Sequence, residues 1–252
     1  MSAGTDGGRS KVPEVTLLFW IIKIAATTLG ETGGDAVSMS MNLGYLVATG
    51  IFAAMFIAAV GIQIAAKSFH PYTYWTTIIA STTVGTTLAD FATRSLGIGY
   101  SGGSLLLLVL LVVSLAVWYR TMGTVSVDSV STPGAETFYW VTIMFSQTLG
   151  TALGDWAADT AGLGYIGAAV VFGLLLLFVA AAYCWTSISH TLLFWAAFVL
   201  TRPLGAVVGD FLDKPVASGG LALSRYSTSA VLLVFIVACI RLFKHNAASK
   251  SH

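Results

Sequence analysis

A segment that begins at a tryptophan and ends fifteen residues later at an aspartate occurs four times in this chain. The four segments run over residues 20–35, 75–90, 140–155 and 195–210. Each has a glycine five residues before its aspartate, and a tyrosine follows ten residues after the aspartate in three copies, whereas the fourth has Gly220 there. A unit that recurs at this length is one supersecondary element repeated. The chain is therefore predicted to consist of four equivalent units, the last with a different outer loop.

The composition places these units in a membrane. The 252 residues are 56% hydrophobic and 9% charged, whereas roughly a quarter of the residues of a soluble domain are charged. A second apolar run follows each segment, at about 45–66, 104–119, 166–186 and 228–243. A helix needs about 20 apolar residues to cross a bilayer. Each unit is thus predicted to be a transmembrane hairpin, and the chain an all-α integral membrane protein with eight transmembrane helices.

The units define the domain organisation. We expect a single polytopic membrane domain over residues 14–244, with repeats at about 14–70, 71–120, 135–189 and 190–244. Residues 1–13 are small and polar and are predicted to be a disordered N-terminus, and residues 245–252 a C-terminal tail. Because each unit crosses the membrane twice, the four units are expected to be parallel two-helix repeats in a pseudo-fourfold arrangement.

The basic residues predict the orientation. Most of them lie at the ends of the chain and between units, at Arg9, Lys11, Lys67, Arg120, Arg241, Lys244 and Lys250. The loops within units carry Arg94, Lys214 and Arg225. Cytoplasmic loops are enriched in lysine and arginine. Both termini are therefore expected in the cytoplasm, and the four aspartates in the outer half of the bilayer.

Small residues recur along the repeated helix at the spacing that lets membrane helices approach closely. The glycines expected to pack these helices together are Gly30, Gly34, Gly85, Gly150, Gly154, Gly205 and Gly209.

A polar stripe runs along the same helix. Residues four apart share one helix face, and on this face polar residues lead up to each aspartate. The pathway or selectivity residues predicted from the stripe are Thr27, Thr82, Thr86, Gln147, Thr151 and Arg202. Polar side chains facing lipid are costly, so the stripe is expected to face the bundle interior or a water-filled cavity.

The carboxylates of the stripe are candidate ligands for a cation. Four carboxylates around one axis need protons or a bound cation to balance their charge. Oxygen ligands favour Mg²⁺, Ca²⁺ or Mn²⁺. The predicted metal ligands are Asp35, Asp90, Asp155, Asp210 and Glu31. Glu31 has no acidic counterpart in the other units and could pair across the axis with Arg202. No covalent cofactor is expected.

Two hypotheses of function remain open. The first is a small-cation transporter or channel, with a Mn²⁺-like divalent metal as the leading substrate. The second is a membrane scaffold or sensor that transports nothing, in which the aspartates cap helix ends and the glycines pack the bundle. The sequence contains no HExxH, GxSxG or phosphate-loop motif, so no enzymatic activity is expected. A net charge of +1 provides no basic patch for nucleic acid, which leaves membrane lipid and a small cation as partners and the oligomeric state open.

The four TLGxxxGD-like segments, spread over residues 14–243, resemble a bacterial family of uncharacterised membrane-anchored repeat proteins. This resemblance implies a bacterial inner-membrane location. The run from Glu31 to Asp35 is also loosely similar to the acidic E-x-G-D motif of cation and manganese exporters, with one additional glycine before the aspartate. That similarity implies intramembrane carboxylates on glycine-rich helices that bind a hard divalent cation.

Overall fold

The computed structural model describes residues 10–248, which form helices and no β-strand. Eight long helices follow one another: α1 (Leu17–Asp35), α2 (Gly44–Ala65), α3 (Pro71–Asp90), α4 (Gly99–Met122), α5 (Pro133–Asp155), α6 (Gly164–Trp185), α7 (His190–Asp213) and α8 (Arg225–Leu242). The repeated segments lie in α1, α3, α5 and α7, which we call the motif helices; the other four are the outer helices. Within residues 10–248, five helices, namely α2, α4, α6, α7 and α8, are long and apolar enough to cross a membrane. The predicted all-α class is confirmed, and these five helices support the predicted membrane class.

Local sequence explains where several helices begin and end. The side chains of Thr16 and Thr132 accept hydrogen bonds from backbone amides in the first turns of α1 and α5, the usual role of a threonine N-cap. Proline in the first turn of α3 and α5 leaves no helical hydrogen bond unmade. Gly123, with φ of 75°, ends α4 in the left-handed conformation.

The motif helices form a closed ring. In the ring α1 contacts α3, α3 contacts α5, α5 contacts α7, and α7 contacts α1. Each outer helix packs on the motif helix of the next unit: α2 on α3, α4 on α5, α6 on α7, and α8 on α1. The predicted hairpins therefore need correction, because the two helices of one unit are not the main packing partners. Short connections account for two of these pairs, α2 with α3 and α6 with α7, since helices joined by few residues pack as antiparallel neighbours.

The two ends of the ring differ in chemistry. At the N-terminal ends of the motif helices, aromatic rings pack together; Phe19 lies 5.4 Å from Trp75, and Tyr139 lies 6.2 Å from Trp195, between ring centroids. At their C-terminal ends, basic side chains join aspartates of neighbouring helices. We call these ends the aromatic end and the aspartate end. The motif helices thus run side by side in the same direction.

The turn after the aspartate is the same in three units and different in the fourth. In the first three, the motif helix continues into a five-residue π-helical turn, at Ala36–Ser40, Phe91–Ser95 and Trp156–Thr160. In the fourth, α7 continues to Asp213 and a 3-10 turn follows at Val216–Ser218. The predicted departure of the fourth loop is confirmed.

The first described residues of the chain contact the last described residues. Pro13 forms a β-bridge with Ala247, and the Lys11 ammonium lies 2.7 Å from a carboxylate oxygen of Glu136 on α5. Ser10, Lys11 and Val12 are buried. The structure therefore corrects the predicted N-terminal disorder at residues 10–13, because hydrogen bonds and an ion pair hold them. Residues 1–9 and 249–252 lie outside the described residues.

Candidate functional site

The polar stripes of the motif helices lie inside the ring, in layers four residues apart. The aspartate layer contains Asp35, Asp90, Asp155 and Asp210. One turn closer to the aromatic end lies the first polar layer (Glu31, Thr86, Thr151 and Ala206), and one turn further lies the second polar layer (Thr27, Thr82, Gln147 and Arg202). Towards the aromatic end follow the lysine layer (Lys23, Ile78, Ile143 and Phe198) and the aromatic layer (Phe19, Tyr74, Tyr139 and Phe194). All of these side chains are 7% exposed or less. Side chains therefore fill the centre of the ring from one end to the other.

The glycines of the motif helices lie where neighbouring helices approach one another. A Cβ atom on Gly30, Gly150 or Gly205 would overlap a side chain of the second polar layer on the next helix, and one on Gly85 would lie 2.9 Å from the Cβ of Gln147. One turn further on, a Cβ on Gly34, Gly154 or Gly209 would come within 3.2 Å of the first polar layer. The same glycine position therefore meets the same layer at all four contacts of the ring.

The aspartates do not cap helix ends. Asp35, Asp90 and Asp155 each precede a π-helical turn and make no side-chain capping hydrogen bond, and Asp210 lies inside α7. The interpretation of the repeated aspartates as helix caps is therefore wrong. The reason is that the chain remains helical past each aspartate, so its side chain is free to point to other helices.

Arg94 joins the aspartates of α3 and α5. Its Nε atom lies 2.9 Å from Oδ1 of Asp90, one turn earlier in the same unit. Its Nη2 atom lies 3.3 Å from Oδ2 of Asp155 on the neighbouring motif helix. Both carboxylates therefore share one guanidinium.

Lys214 and Arg225 perform the corresponding role for α1 and α7. The Lys214 ammonium donates a hydrogen bond to Asp35 and lies 3.1 Å from Oδ1 of Asp210. The Nε atom of Arg225 lies 2.6 Å from Oδ2 of Asp213. Asp35, Asp210 and Asp213 each offer a carboxylate oxygen within 4.8 Å of the others, which is close enough for them to hold one metal ion.

This geometry differs from the predicted site, in which four equivalent aspartates share one axis with Glu31 nearby. The four repeated aspartates are divided into two groups by basic side chains, and Glu31 lies one turn deeper in the first polar layer. Sequence reasoning missed the roles of Asp213, Arg94, Lys214 and Arg225. A basic residue four positions after the aspartate, in the second and fourth units, was the available indication, because residues at this spacing are neighbours on a continuing helix.

The aspartate end carries more carboxylates than basic side chains. The five carboxylates belong to Asp35, Asp90, Asp155, Asp210 and Asp213, and the three basic side chains to Arg94, Lys214 and Arg225. Oδ1 of Asp35 and Oδ1 of Asp213 are buried and accept no hydrogen bond from any residue between 10 and 248. The cluster thus has two carboxylates in excess and unused acceptor atoms.

Arg202 pairs with Glu31, as the sequence predicted. Its Nη2 atom lies 3.0 Å from Oε2 of Glu31 on α1. The same nitrogen lies 2.5 Å from the hydroxyl oxygens of Thr86 on α3 and Thr151 on α5. One side chain of α7 therefore contacts all three of the other motif helices.

Comparison with known families agrees with the repeat seen in the sequence and the structure. No curated protein and no solved structure matches the chain. A family described as "Repeat of Unknown Function (DUF347)" matches four stretches, at residues 18–69, 73–124, 138–189 and 193–244. Each matched stretch comprises one motif helix and the outer helix that follows it. The chain belongs to this family of uncharacterised repeat proteins.

Proposed function

We propose that this protein moves a small cation across the membrane, with a divalent metal such as Mn²⁺ as the leading substrate. The observation that carries this proposal is the excess of two buried carboxylates at the aspartate end. Buried charges must be paired or neutralised, and one divalent cation balances two carboxylates. Intramembrane ionisable residues of this kind mark ion pathways in many membrane proteins.

The best-placed ligands are Asp35, Asp210 and Asp213. Their oxygens lie within 4.8 Å of one another, and oxygen ligands suit Mn²⁺, Mg²⁺ and Ca²⁺. The Lys214 ammonium contacts two of the three carboxylates. A cation entering this group would therefore compete with Lys214, which has a flexible stem and a single point charge.

The proposal includes eight transmembrane helices in a pseudo-fourfold ring of parallel units. In the described part of the chain, five helices have the length and apolar character to cross a membrane, and α1, α3 and α5 would be the other three. Their polar stripes are compatible with spanning because these side chains face the ring interior rather than lipid. By the distribution of lysine and arginine, the aromatic end and both termini would face the cytoplasm of a bacterial inner membrane.

Flux measurements in proteoliposomes test the proposal. Purified protein would be screened with Mn²⁺, Mg²⁺, Ca²⁺, Na⁺, K⁺ and H⁺. We expect Asp210→Asn to abolish flux of the transported ion. The matched control is Asp159→Asn, because Asp159 follows the motif of the third unit but is exposed; this variant should retain flux. Absence of flux for every ion in the wild type, or full flux through the Asp210→Asn variant, would contradict the proposal.

A scaffold or sensor without transport is the second candidate, and the repeated glycine contacts favour it. At all four contacts of the ring the same glycine position packs against the same layer, as a purely structural bundle would require. Thermal stability with and without divalent salts separates the two candidates. A cation site gains stability through binding, whereas a scaffold should respond only to ionic strength.

A further inference from the structure

Arg202 lies where the four motif helices can be joined by a single side chain. It projects from the second polar layer into the first, where α7 contributes only Ala206. Its Nη2 atom there contacts Glu31, Thr86 and Thr151, one from each of the other motif helices. Ala206 is the smallest residue of the first polar layer, so the guanidinium takes the space that a larger fourth side chain would fill.

This guanidinium blocks the centre of the ring in two ways. Arg202 is fully buried and lies between the aspartate layer and the lysine layer. It therefore occupies the volume that an ion would have to cross. A guanidinium is also permanently charged, so it repels any cation that arrives from the aspartate end. Glu31, the carboxylate that could attract this cation, is already paired with Arg202.

The guanidinium of Arg202 can release its partners on the other motif helices by moving a single nitrogen. The Nη2 group, whose two hydrogens are shared among these partners, contacts Glu31, both threonine hydroxyls and, at 3.5 Å, the Thr82 carbonyl oxygen. The Nε and Nη1 atoms are buried and have no hydrogen-bond partner within residues 10–248. An arginine that serves only to hold a carboxylate commonly binds it with two parallel hydrogen bonds. Movement of one nitrogen would here free the Glu31 carboxylate and both threonine hydroxyls together.

We propose that Arg202 is a gate on the ring axis, closed in this structure, and that a cation passes the first polar layer when the guanidinium releases Glu31. This inference rests on the proposed cation transport. It makes the protein gated along its axis rather than a continuously open channel.

Cysteine accessibility tests the gate without any ion gradient. Ile143 is fully buried in the lysine layer, beyond Arg202 as seen from the aspartate end. Ile143→Cys would be introduced into the full chain together with Cys184→Ser, because Cys184 is exposed. The buried Cys239 on α8, outside the ring, is kept as an internal control. Modification of both cysteines by a charged methanethiosulfonate reagent in detergent is followed by mass spectrometry.

With Arg202 present, the cysteine at position 143 should react as slowly as Cys239. Arg202→Gln should raise the modification rate at position 143 at least about tenfold, because the hydrogen bonds of the charged guanidinium hold the gate closed. The modification rate of Cys239 should stay unchanged. Equal rates at position 143 with and without Arg202 would overturn the gate, as would a parallel rise at Cys239, which indicates general loosening.

A second variant separates loss of the gate from misfolding caused by an unpaired buried charge. Arg202→Gln leaves Glu31 buried without its partner, which is strongly destabilising in general. The double variant Glu31→Gln and Arg202→Gln removes both charges, and it should show the same rise at position 143. Flux through the wild type tests the proposed function separately, so a failure of the gate can be distinguished from a failure of cation transport.

Discussion

At the aspartate end, the carboxylates of α3 and α5 share Arg94, whereas those of α1 and α7 share Lys214 and lie next to a further carboxylate, Asp213. The Arg94 side chain is 32% exposed and that of Lys214 is 11% exposed. The first group pairs two acids with one partly exposed arginine. The second group has a more buried basic centre and holds three acids with Lys214 and Arg225. The same repeated aspartate therefore serves in two different electrostatic environments.

The difference originates in the turn that follows the aspartate. In the second unit a π-helical turn places Arg94 one turn past Asp90. In the fourth unit α7 runs on to Asp213, and Arg225 at the start of α8 returns to pair with it. The glycines that recur in every unit thus determine how the motif helices pack. Residues that do not recur in every unit, namely Arg94, Lys214 and Asp213, determine the electrostatic environment of each group.

The largest difference between the two groups should appear on removing each basic side chain. Lys214→Met leaves the buried Asp210 without its ammonium and Asp35 with only the Arg225 guanidinium, 3.8 Å away, and the loss of a buried partner typically costs about 3–5 kcal/mol of unfolding free energy. Arg94→Met should cost about 1–2 kcal/mol, between the values for exposed and buried pairs. Unfolding in detergent, followed by circular dichroism, measures both. Equal losses would show that the two groups are electrostatically equivalent.

The sequence contained enough information for the repeats, the helical membrane class and the position of the polar stripe. These follow from spacing and composition, because a four-residue step on a helix defines one face whatever surrounds it. The pairing of Glu31 with Arg202 was also predictable, since both lie on that face and bear opposite charges.

The sequence could not show which helices are neighbours. The packing of α2 on α3 and of α8 on α1 depends on how the chain leaves each turn. The division of the aspartates into two groups depends in turn on Arg94 and Lys214, which sit in segments that read as loops. The turns that continue the helix past each aspartate bring these side chains back over the ring, and the basic residue four positions after the aspartate, present in two units, is a weak indication of such a turn.

A divalent cation should act on the two groups unequally. When Lys214→Met removes the internal ammonium, Mn²⁺ or Ca²⁺ can take its place among Asp35, Asp210 and Asp213. At a concentration 100 times the dissociation constant, binding to the folded state alone contributes about 2.7 kcal/mol. We expect the salt to restore most of the stability of this variant and little of that of Arg94→Met. Choline chloride at matched ionic strength is the control, and equal restoration by it would argue against a cation site.

The smallest effect concerns the glycine that replaces the repeated tyrosine. A Cβ on Gly220 would overlap the carbonyl oxygen of Lys214 and lie 3.1 Å from its Cα. In the second unit the equivalent Tyr100 has room for its ring, which lies 5.9 Å from the Arg94 guanidinium carbon. Gly220→Ala should therefore push the Lys214 backbone away and weaken its contacts with Asp35 and Asp210. Overpacking of this kind typically costs about 1–3 kcal/mol.

Gly173→Ala is the matched control, because a Cβ at that position in α6 meets no atom within 4 Å. A helical glycine in open space should tolerate alanine or gain about 0.5–1 kcal/mol. The same detergent unfolding measurement compares the two variants. If Gly220→Ala were as stable as Gly173→Ala, the Lys214 turn would be free to adjust. The different electrostatic environment of the fourth unit would then depend on the identities of Asp213 and Lys214 rather than on a rigid backbone path in its turn.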